Sequence, residues 1–426
     1  MDSAAAGMVA PPSTRRVLAA SLIGTSVEFY DFYVYTTAAA LVFGRLFFPT
    51  ADAATAQMAS LATIGVAFVA RPLGSLFFGH FGDRVGRKST LVASLLTMGI
   101  STVLVGLMPT YADVGWPAAA LLCLLRFGQG FGLGGEWGGA ALLAVEHAPP
   151  GWRARYGMFP QLGAPVGFVA ANGLFLLLGL LLTPEQFAAW GWRVPFLVSS
   201  ALVAFGLWIR LRLQETPEFR AALAEAPPAA VPFAELASRH GGTLVLATLG
   251  AVACFALYYI ATAFALAYGT RTLGYPMATF LSVQLGAICF MALGTVAAAY
   301  LADAGWGERR ALAAGCAGAI GAGLLMGPMM GSGSLALVFA WLSLALLLMG
   351  FLYGPLGAWL PALFPTRVRY TGASVAFNAA GVLGGGLTPY AATWLASGGG
   401  LAPVGLYVGG AALLSLAALL AGRQPR

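Results

Sequence analysis

Five ionisable side chains lie within long apolar stretches of this chain: Glu28, Asp31, Arg71, Arg126 and Glu136. An ionisable group inside a lipid bilayer is costly, so it needs a partner or a water-filled cavity. Carboxylates in such a place can bind and release protons, and an arginine can hold an anion with two parallel N–H donors. The five residues therefore indicate either a path for protons and a charged solute, or ion pairs that only clamp helices together.

Helical spacing sorts these residues by face. At 100° per residue, one face of the first apolar run carries Ser21, Thr25, Glu28, Asp31, Phe32 and Tyr35. On a later run, one face carries Arg126, Gln129, Glu136 and Trp137, with Gly128, Gly132, Gly135 and Gly139 opposite. Arg126 and Glu136 are about 15 Å apart along a helix axis, so they cannot pair with each other. Tyr30 and Tyr33 point away from the polar face, and we expect them to pack or to face lipid.

The elements that carry these residues are predicted to be membrane helices. Of 426 residues, 59% are hydrophobic and only 9% are charged, whereas a soluble domain is about 25% charged. A spanning helix needs about 20 apolar residues. Twelve runs meet this requirement: 17–43, 56–82, 89–109, 117–145, 154–182, 190–212, 243–268, 277–302, 310–330, 334–362, 370–397 and 401–422. Barrel strands are short and alternate polar with apolar residues, so a membrane barrel is excluded.

The basic residues lie mostly on one side of the predicted membrane. A net charge of +7 could indicate nucleic acid, but we place 17 of the 22 Lys and Arg on one side and three on the other. Arg71 and Arg126 are left inside helices, and Arg210 is counted with the 17. By the positive-inside rule, both termini are predicted to be cytoplasmic.

The chain divides into two similar halves. We expect a tail at 1–16, a six-helix bundle at 17–212, a mixed-charge linker at 213–242, a second six-helix bundle at 243–422 and a tail at 423–426. Arg153-Ala-Arg155-Tyr156 recurs as Arg367-Val-Arg369-Tyr370, and Asp83 recurs as Asp303. Both offsets are near half the chain length, which is typical of a duplicated bundle.

A basic, glycine-containing turn follows the second apolar run. It resembles the signature loop of the major facilitator superfamily, and the residues that carry the pattern are Gly79, Asp83, Arg84, Gly86, Arg87 and Lys88. The resemblance implies a conformational latch, in which Asp83 pairs with a helix N-terminus or an arginine of a neighbouring helix in the outward-open state. The second copy has Ala299 in place of the first glycine and is one residue longer, which weakens the expectation of a second latch.

Several other segments resemble one branch of that superfamily, the metabolite:proton symporters, which include carriers for shikimate, alpha-ketoglutarate, citrate and proline/betaine. The segments are 27–35, Arg71-Pro72-Leu73-Gly74, Arg126-Phe127-Gly128-Gln129-Gly130, Gly134-Gly135-Glu136, 190–196, 215–218 and 364–372. The resemblance implies an all-α membrane protein with twelve transmembrane helices in two pseudo-symmetric six-helix bundles, the major facilitator fold. It implies import of a small organic acid, mono- or dicarboxylate, or of a zwitterionic metabolite, by proton symport with alternating access.

For that activity, Arg126 and Arg71 are expected to hold the substrate carboxylate. The other predicted substrate contacts are Gln129, Tyr35, Trp137, Tyr258, Tyr259, Tyr353, Trp359 and Asn378. Proton coupling is assigned to Asp31, Glu28 and Glu136, with Asp31 preferred because it lies nearer Arg126 in estimated depth.

Other functions are less consistent with the sequence. The segment Gly163-Ala-Pro165-Val-Gly167 partly matches an antiporter helix motif, so a proton-coupled antiporter or exporter remains the alternative. A channel would not saturate or exchange its substrate. An enzyme is not expected, because the chain has no His-Glu-x-x-His, phosphate loop or Gly-x-Ser-x-Gly. We expect a monomer in a bacterial cytoplasmic membrane, whose partners are a small-molecule substrate, protons and membrane lipid, without cofactor, metal ion or nucleic acid.

Overall fold

The computed structural model describes residues 14–49, 53–211, 232–386 and 388–422, which form helices joined by short turns, without a strand. The long helices of the first half are α1 (Thr14–Ala38), α2 (Ala53–Arg84), α3 (Arg87–Leu107), α4 (Trp116–Val145), α5 (Arg153–Leu181) and α6 (Arg193–Leu211). Those of the second half are α7 (Pro232–Tyr259), α8 (Met277–Leu301), α9 (Glu308–Met330), α10 (Leu335–Ala362), α11 (Arg369–Gly381) and α12 (Leu401–Ala421). Helices α1, α7, α8 and α11 continue into π-helical turns at Ala39–Phe43, Ile260–Phe264, Ala302–Trp306 and Val382–Gly386.

Ten helices of the described chain are long and apolar enough to cross a membrane. The other two are α1, which carries Glu28 and Asp31, and α11, which is interrupted by its π-helical turn before Thr388–Gly399. Helix α1 packs on α5 of its own half, and α11 packs on α2 of the other half, so both lie against helices that belong to the ten. The outer surface is apolar, as shown by Trp394 and Leu180, which are 75% and 73% exposed. A helix satisfies its own backbone groups, which is what lipid requires of a spanning segment.

The structure describes part of the predicted linker. Helix α7 begins at Pro232, inside the predicted linker 213–242, and bends at His240, whose φ of −126° and ψ of 16° are not helical. Residues 213–231 of that linker, and residues 1–13 and 423–426 of the predicted tails, lie outside the described residues. Helix α1 begins at Thr14, three residues before the predicted start at 17.

The two halves meet at the end of the bundle where α2, α4, α8 and α10 finish, which we call the basic end. Here Asp83, at the end of α2, accepts hydrogen bonds from the first residues of α11. The donors are the N–H of Tyr370 at 3.2 Å and the N–H and hydroxyl of Thr371 at 3.0 and 2.8 Å. A carboxylate at this position satisfies unpaired helix N–H groups and interacts favourably with the helix dipole. The contact with a helix N-terminus is the one that the signature turn led us to expect.

Asp303 makes the mirror-image contact from the second half to the first. It accepts hydrogen bonds from the N–H groups of Ala154 at 3.0 Å and Arg155 at 2.8 Å, at the start of α5. The altered second turn therefore still supplies its carboxylate, contrary to expectation, because the cap needs only the acid and the exposed N–H groups. Both turns also keep a glycine in the left-handed region, Gly86 at φ 124° and Gly307 at φ 76°, where other residues are strained.

Backbones approach closely beside these caps. A Cβ added to Gly157 of α5 or to Gly357 of α10 would collide with the backbone of the other helix. Small residues allow such approach in membrane bundles. The two halves are therefore in tight contact at the basic end.

Candidate functional site

Arg126 lies on α4 and is fully buried. Its Nη1 donates a hydrogen bond to Gln129 at 3.1 Å, and Gln129 donates in turn to the hydroxyl of Thr102 on α3 at 2.8 Å. The guanidinium carbon lies 4.0 Å from the ring centroid of Tyr35 and 4.9 Å from that of Phe32. The other edge of the guanidinium, Nε and Nη2, has no hydrogen-bond partner among the described residues. Two adjacent donors on one edge match the two oxygens of a carboxylate.

Asp31 shares a narrow cleft with Arg126. The cleft is lined by Asp31, Phe32, Met98, Arg126, Gln129, Gly130 and Leu133. One oxygen of Asp31 accepts a hydrogen bond from Ser199 on α6, and Oδ2 has no partner in the described part of the chain. The cleft thus brings together a cation with two unpaired donors and a buried carboxyl with one unpaired oxygen. This is the polar face of α1 and α4 that helical spacing predicted.

Glu136 pairs with Arg210, which is a correction to the sequence analysis. Arg210 was counted among the solvated arginines, but it is only 3% exposed and its Nη2 contacts the Glu136 carboxylate. Its Nη1 donates to the carbonyl of Leu91 at 2.8 Å, and its guanidinium lies against Gly24 of α1, where a Cβ would collide with it. An arginine in the last turn of α6 reaches inward because a partner on α4 lies within the length of its side chain.

Glu28 lies one turn from Asp31 on α1 and is fully buried. Its Oε2 has no hydrogen-bond partner among the described residues. The charged groups that act on it are Glu136, Arg210, Arg71 and Asp31. Glu28 therefore sits between the Glu136–Arg210 pair and the Arg126 cleft, without an ion pair of its own that the structure records.

Arg71 reaches from the first half to the second. Its Nε donates to the amide oxygen of Asn378 on α11 at 2.9 Å, and Asn378 donates back to the carbonyl of Gly134 on α4 at 3.0 Å. The Arg71 guanidinium also lies 5.7 Å from the ring of Phe68, which packs edge-on against Tyr259 of α7 at 5.5 Å. Arg71, Asn378 and Tyr259 were all predicted as substrate contacts, and the structure brings them together between the halves.

Trp137 is the centre of a second contact between the halves. Its ring stacks on Phe377 of α11, with centroids 3.7 Å apart and planes 2° from parallel. Its indole N–H donates to Gln161 of α5 at 2.7 Å, and Gln161 donates to the carbonyl of Tyr353 on α10 at 2.7 Å. Trp137 and Tyr353 were predicted to line the substrate cavity, and the structure places them in this packed contact.

Tyr33 was expected to pack or to face lipid, and the structure shows it packed. It is buried, and Tyr258 of α7 donates to its hydroxyl at 2.5 Å. Tyr30 is also buried and donates to the carbonyl of Pro195 on α6 at 2.8 Å. Tyr35 donates to Thr63 of α2 at 2.7 Å while its ring lies under Arg126.

Trp359 is not brought to the Arg126 cleft. It lies at the basic end against Gly250 of α7 and lines a separate small pocket together with Arg309. The sequence could not separate it from Tyr353, because both lie on buried positions of the same helix, α10.

The remaining residues of the signature turn lie at the basic end. Arg84 contacts His80 at 3.2 Å, and Lys88 donates to the carbonyl of Leu211 at 2.8 Å. The side chain of Arg87 lies outside the described part of the structure. Arg309 repeats the Lys88 contact in the second half, donating to the carbonyl of Leu420 at 2.6 Å.

Sequence reasoning missed several residues of the site: Arg210, Ser199, Thr102, Gln161, Phe377 and Tyr33. A signal existed for Gln161, which is a lone amide between Pro160 and Pro165 in an apolar helix. Buried amides in a membrane need a partner, so such a residue is a candidate contact between helices. For Phe377 and Ser199, nothing in residue type or spacing distinguishes them from packing residues.

Known proteins are similar to this chain over nearly its whole length. The family model described as sugar (and other) transporter matches residues 17–238. The inner membrane metabolite transport protein YhjE of Escherichia coli (strain K12) is 52% identical over 419 residues, which are 97% of this chain and 95% of that protein. The shikimate transporter of the same organism is 38% identical over 392 residues, covering 91% of this chain and 89% of that one. The proline/betaine transporter of Salmonella typhimurium is 33% identical, covering 89% and 77%.

A solved structure shows the same fold. The proton:xylose symporter XylE, bound to 6-bromo-6-deoxy-D-glucose, has a TM-score of 0.73 at 16% identity and covers 96% of this chain and 94% of that one. The relatives are named as transporters, and the fold is that of a transporter and not of an enzyme. The chain is therefore a multi-pass membrane protein that belongs to the sugar (and other) transporter family of the major facilitator superfamily, among its metabolite transporters.

Proposed function

We propose that this protein imports a small organic acid or a zwitterionic metabolite together with a proton, by alternating access, in a bacterial cytoplasmic membrane. The observation that carries the proposal is the buried Arg126, whose Nε and Nη2 edge is unpaired within a cleft that also contains Asp31. A buried guanidinium edge without a partner is unfavourable unless a ligand uses it.

A carboxylate is the ligand that fits this edge. The planar fork of arginine binds carboxylate with two parallel hydrogen bonds, which a lysine cannot do. Gln129 and the ring of Tyr35 fix the orientation of the guanidinium. The names of the relatives are consistent with this ligand, because shikimate, proline and betaine each carry one carboxylate.

Asp31 is the proposed proton carrier. It is buried beside Arg126, and burial favours the neutral form of a carboxyl group. A substrate carboxylate that binds Arg126 would weaken the attraction between Arg126 and Asp31, and protonation of Asp31 would relieve the repulsion between the two carboxylates. Substrate and proton would then bind together. Glu28, one turn away, is the second candidate.

Alternating access is proposed from the contacts between the halves. The excess of arginine at the basic end supports a cytoplasmic orientation of that end. Asp83 and Asp303 hold the halves together there, so this conformation would be closed toward the cytoplasm. Opening would break both caps, the Arg71–Asn378 hydrogen bond and the Trp137–Phe377 stack. The glycines of the segment 163–167 pack against Thr25 and Tyr30 of α1, so helix packing accounts for them and no observation favours export.

The test is substrate exchange and uptake by variants of Arg126 in proteoliposomes. Arg126→Ala should abolish both activities, and Arg126→Lys should not restore them, because lysine keeps the charge but lacks the fork. Arg271→Ala, at an exposed position, is the matched control. Normal uptake by Arg126→Lys would refute the proposed carboxylate contact.

A further inference from the structure

Six buried ionisable side chains of the first half lie away from the N-terminus of α11, and their formal charges sum to zero. Three are carboxylates, Glu28, Asp31 and Glu136, and three are guanidiniums, Arg71, Arg126 and Arg210; each is at most 4% exposed. The second half contributes hydroxyl and amide groups to the buried set, and none of its charged residues is buried among those that the structure describes. Asp83 and Glu146 are also buried, but they lie at the basic end with α11, where Asp83 caps its N-terminus and Glu146 pairs with Arg369 at 3.7 Å.

A ligand changes this balance unless it brings no net charge. Burying an unbalanced charge in a low-dielectric interior is strongly unfavourable. When an anion with one negative charge binds, the total charge of the six residues and the anion is −1. One proton taken up with the anion restores zero. A zwitterion would leave the set at zero without a proton, and a dianion would need two protons.

The other titratable groups that face the carboxylates do not alter the sum. They are the phenols of Tyr30 and Tyr33 on α1 and of Tyr353 on α10, which are uncharged hydrogen-bonding groups. Two further phenols, Tyr259 and Tyr35, lie beside the arginines Arg71 and Arg126. Ser199 and the hydroxyl of Thr102 are uncharged partners at the same level. The balance therefore depends on the six residues alone.

From this count we infer that the carrier takes a substrate of one net negative charge together with one proton, so that a transport cycle moves no net charge. The inference rests on the proposed function and narrows its substrate class to monocarboxylates. The proton can reside on any carboxyl of the set, because what balances the substrate is the sum.

The experiment uses the full chain in proteoliposomes with five radiolabelled probes: shikimate, quinate, lactate, succinate and glycine betaine. A pH gradient and a potassium-diffusion potential are imposed separately. A monocarboxylate should accumulate about tenfold per pH unit of inside-alkaline gradient and should not respond to the potential. A cycle that moved one net charge would change its accumulation by about 50-fold per 100 mV.

Three results would overturn the inference: accumulation of a monocarboxylate that follows the potential, transport of glycine betaine in preference to the monocarboxylates, or transport of succinate with one proton. Transport of none of the probes would count against the proposed function itself and would remove the basis of the inference with it.

Variants of the Glu136–Arg210 pair distinguish an effect of the net buried charge on proton coupling from a purely structural role of this ion pair. Glu136→Gln leaves the set at +1, so a monocarboxylate should enter without a proton, and its accumulation should lose the pH dependence and follow the potential. The double variant Glu136→Gln/Arg210→Gln restores zero and should recover electroneutral uptake, which keeps the test usable if the single variant does not fold. Glu185→Gln, on an exposed residue outside the spanning helices, is the control. If both pair variants transport slowly but remain electroneutral, the inference is wrong.

Discussion

Asp83→Asn should shift the carrier toward a state that is open at the basic end. The carboxylate is buried and accepts three hydrogen bonds, at 3.2, 3.0 and 2.8 Å, from Tyr370 and Thr371, the second and third residues of α11. Asparagine has nearly the same shape, but it loses the negative charge, and its amide nitrogen is a donor that would face one of the N–H groups. The change therefore weakens the contact between the halves without altering either half.

The magnitude follows from those contacts. Losing one hydrogen bond to a charged group costs about 1.5–3 kcal/mol, and losing the charge at a helix N-terminus costs about 0.3–1 kcal/mol more. The sum of about 2–4 kcal/mol corresponds to roughly a 30- to 1000-fold shift in the equilibrium between closed and open states. Asp303→Asn should act in the same direction, and the two changes should add because their partner helices are different.

The assay is the rate of maleimide labelling of Ala358→Cys, in a background whose four native cysteines are replaced by alanine. Ala358 is buried on α10 beside Gly157 of α5, where the halves touch. Asp83→Asn should raise this rate and leave substrate affinity nearly unchanged. Asp113→Asn is the matched control, because Asp113 accepts from the N–H of Thr110 at 2.8 Å and caps the short helix Tyr111–Val114, away from the contact between the halves. An unchanged labelling rate with Asp83→Asn would refute the latch.

Three further outcomes are expected from the geometry of the site. Glu136→Gln leaves the buried Arg210 without its partner and should destabilise the protein by roughly 3–5 kcal/mol, measured as a lower thermal-denaturation midpoint in detergent. The double variant with Arg210→Gln should recover part of that loss. An unchanged midpoint for the single variant would contradict the pairing. Asp31→Asn should lose accumulation driven by a pH gradient and keep substrate exchange; uphill accumulation by this variant would transfer the proton assignment to Glu28. Trp137→Ala and Phe377→Ala should show a coupling of about 1 kcal/mol in a double-mutant cycle of thermal stability, whereas additive losses would show that the stack contributes nothing beyond burial.

Much of the fold could be predicted because lipid imposes simple rules on sequence. Apolar runs long enough to span the bilayer became helices within a few residues of the predicted edges, as at 117–145 for α4 and 401–422 for α12. In the predicted linker 213–242, Pro232 begins a helical segment that bends at His240, three residues before the predicted start of the seventh helix at 243. Residues 232–242 carry charges and so fall below any hydropathy threshold, although a helix at the membrane surface needs no apolar run.

The site was predicted in part, and the reason lies in what helical spacing measures. Spacing gives the face and approximate depth of Arg126, Gln129 and Asp31, since both follow from the pitch of a single helix. It gives no information on which helices become neighbours. Arg210 was therefore misplaced, because its inward direction depends on how α6 packs against α1 and α3. The hydroxyl partner of Tyr33 was missed for the same reason, since Tyr258 lies 225 residues away in the chain.

The distribution of charge also explains how such a carrier can move at low energetic cost. All six buried charges of the site lie in the first half, so a rigid rocking of one half against the other leaves the Glu136–Arg210 pair and the Arg126–Gln129 contact intact. Contacts that must part near the site involve at most one charge, as in Arg71–Asn378, or none, as in Trp137–Phe377 and Tyr33–Tyr258. Separating a buried ion pair would strand two charges in the bilayer, which would be strongly unfavourable in every cycle. Arg71 is the exception, because it loses its amide partner when the halves separate. Arg71 is attracted to Glu28 of its own half, and an ionised Glu28 can take the place of Asn378 as its partner. The position of Arg71 is therefore linked to the protonation of Glu28.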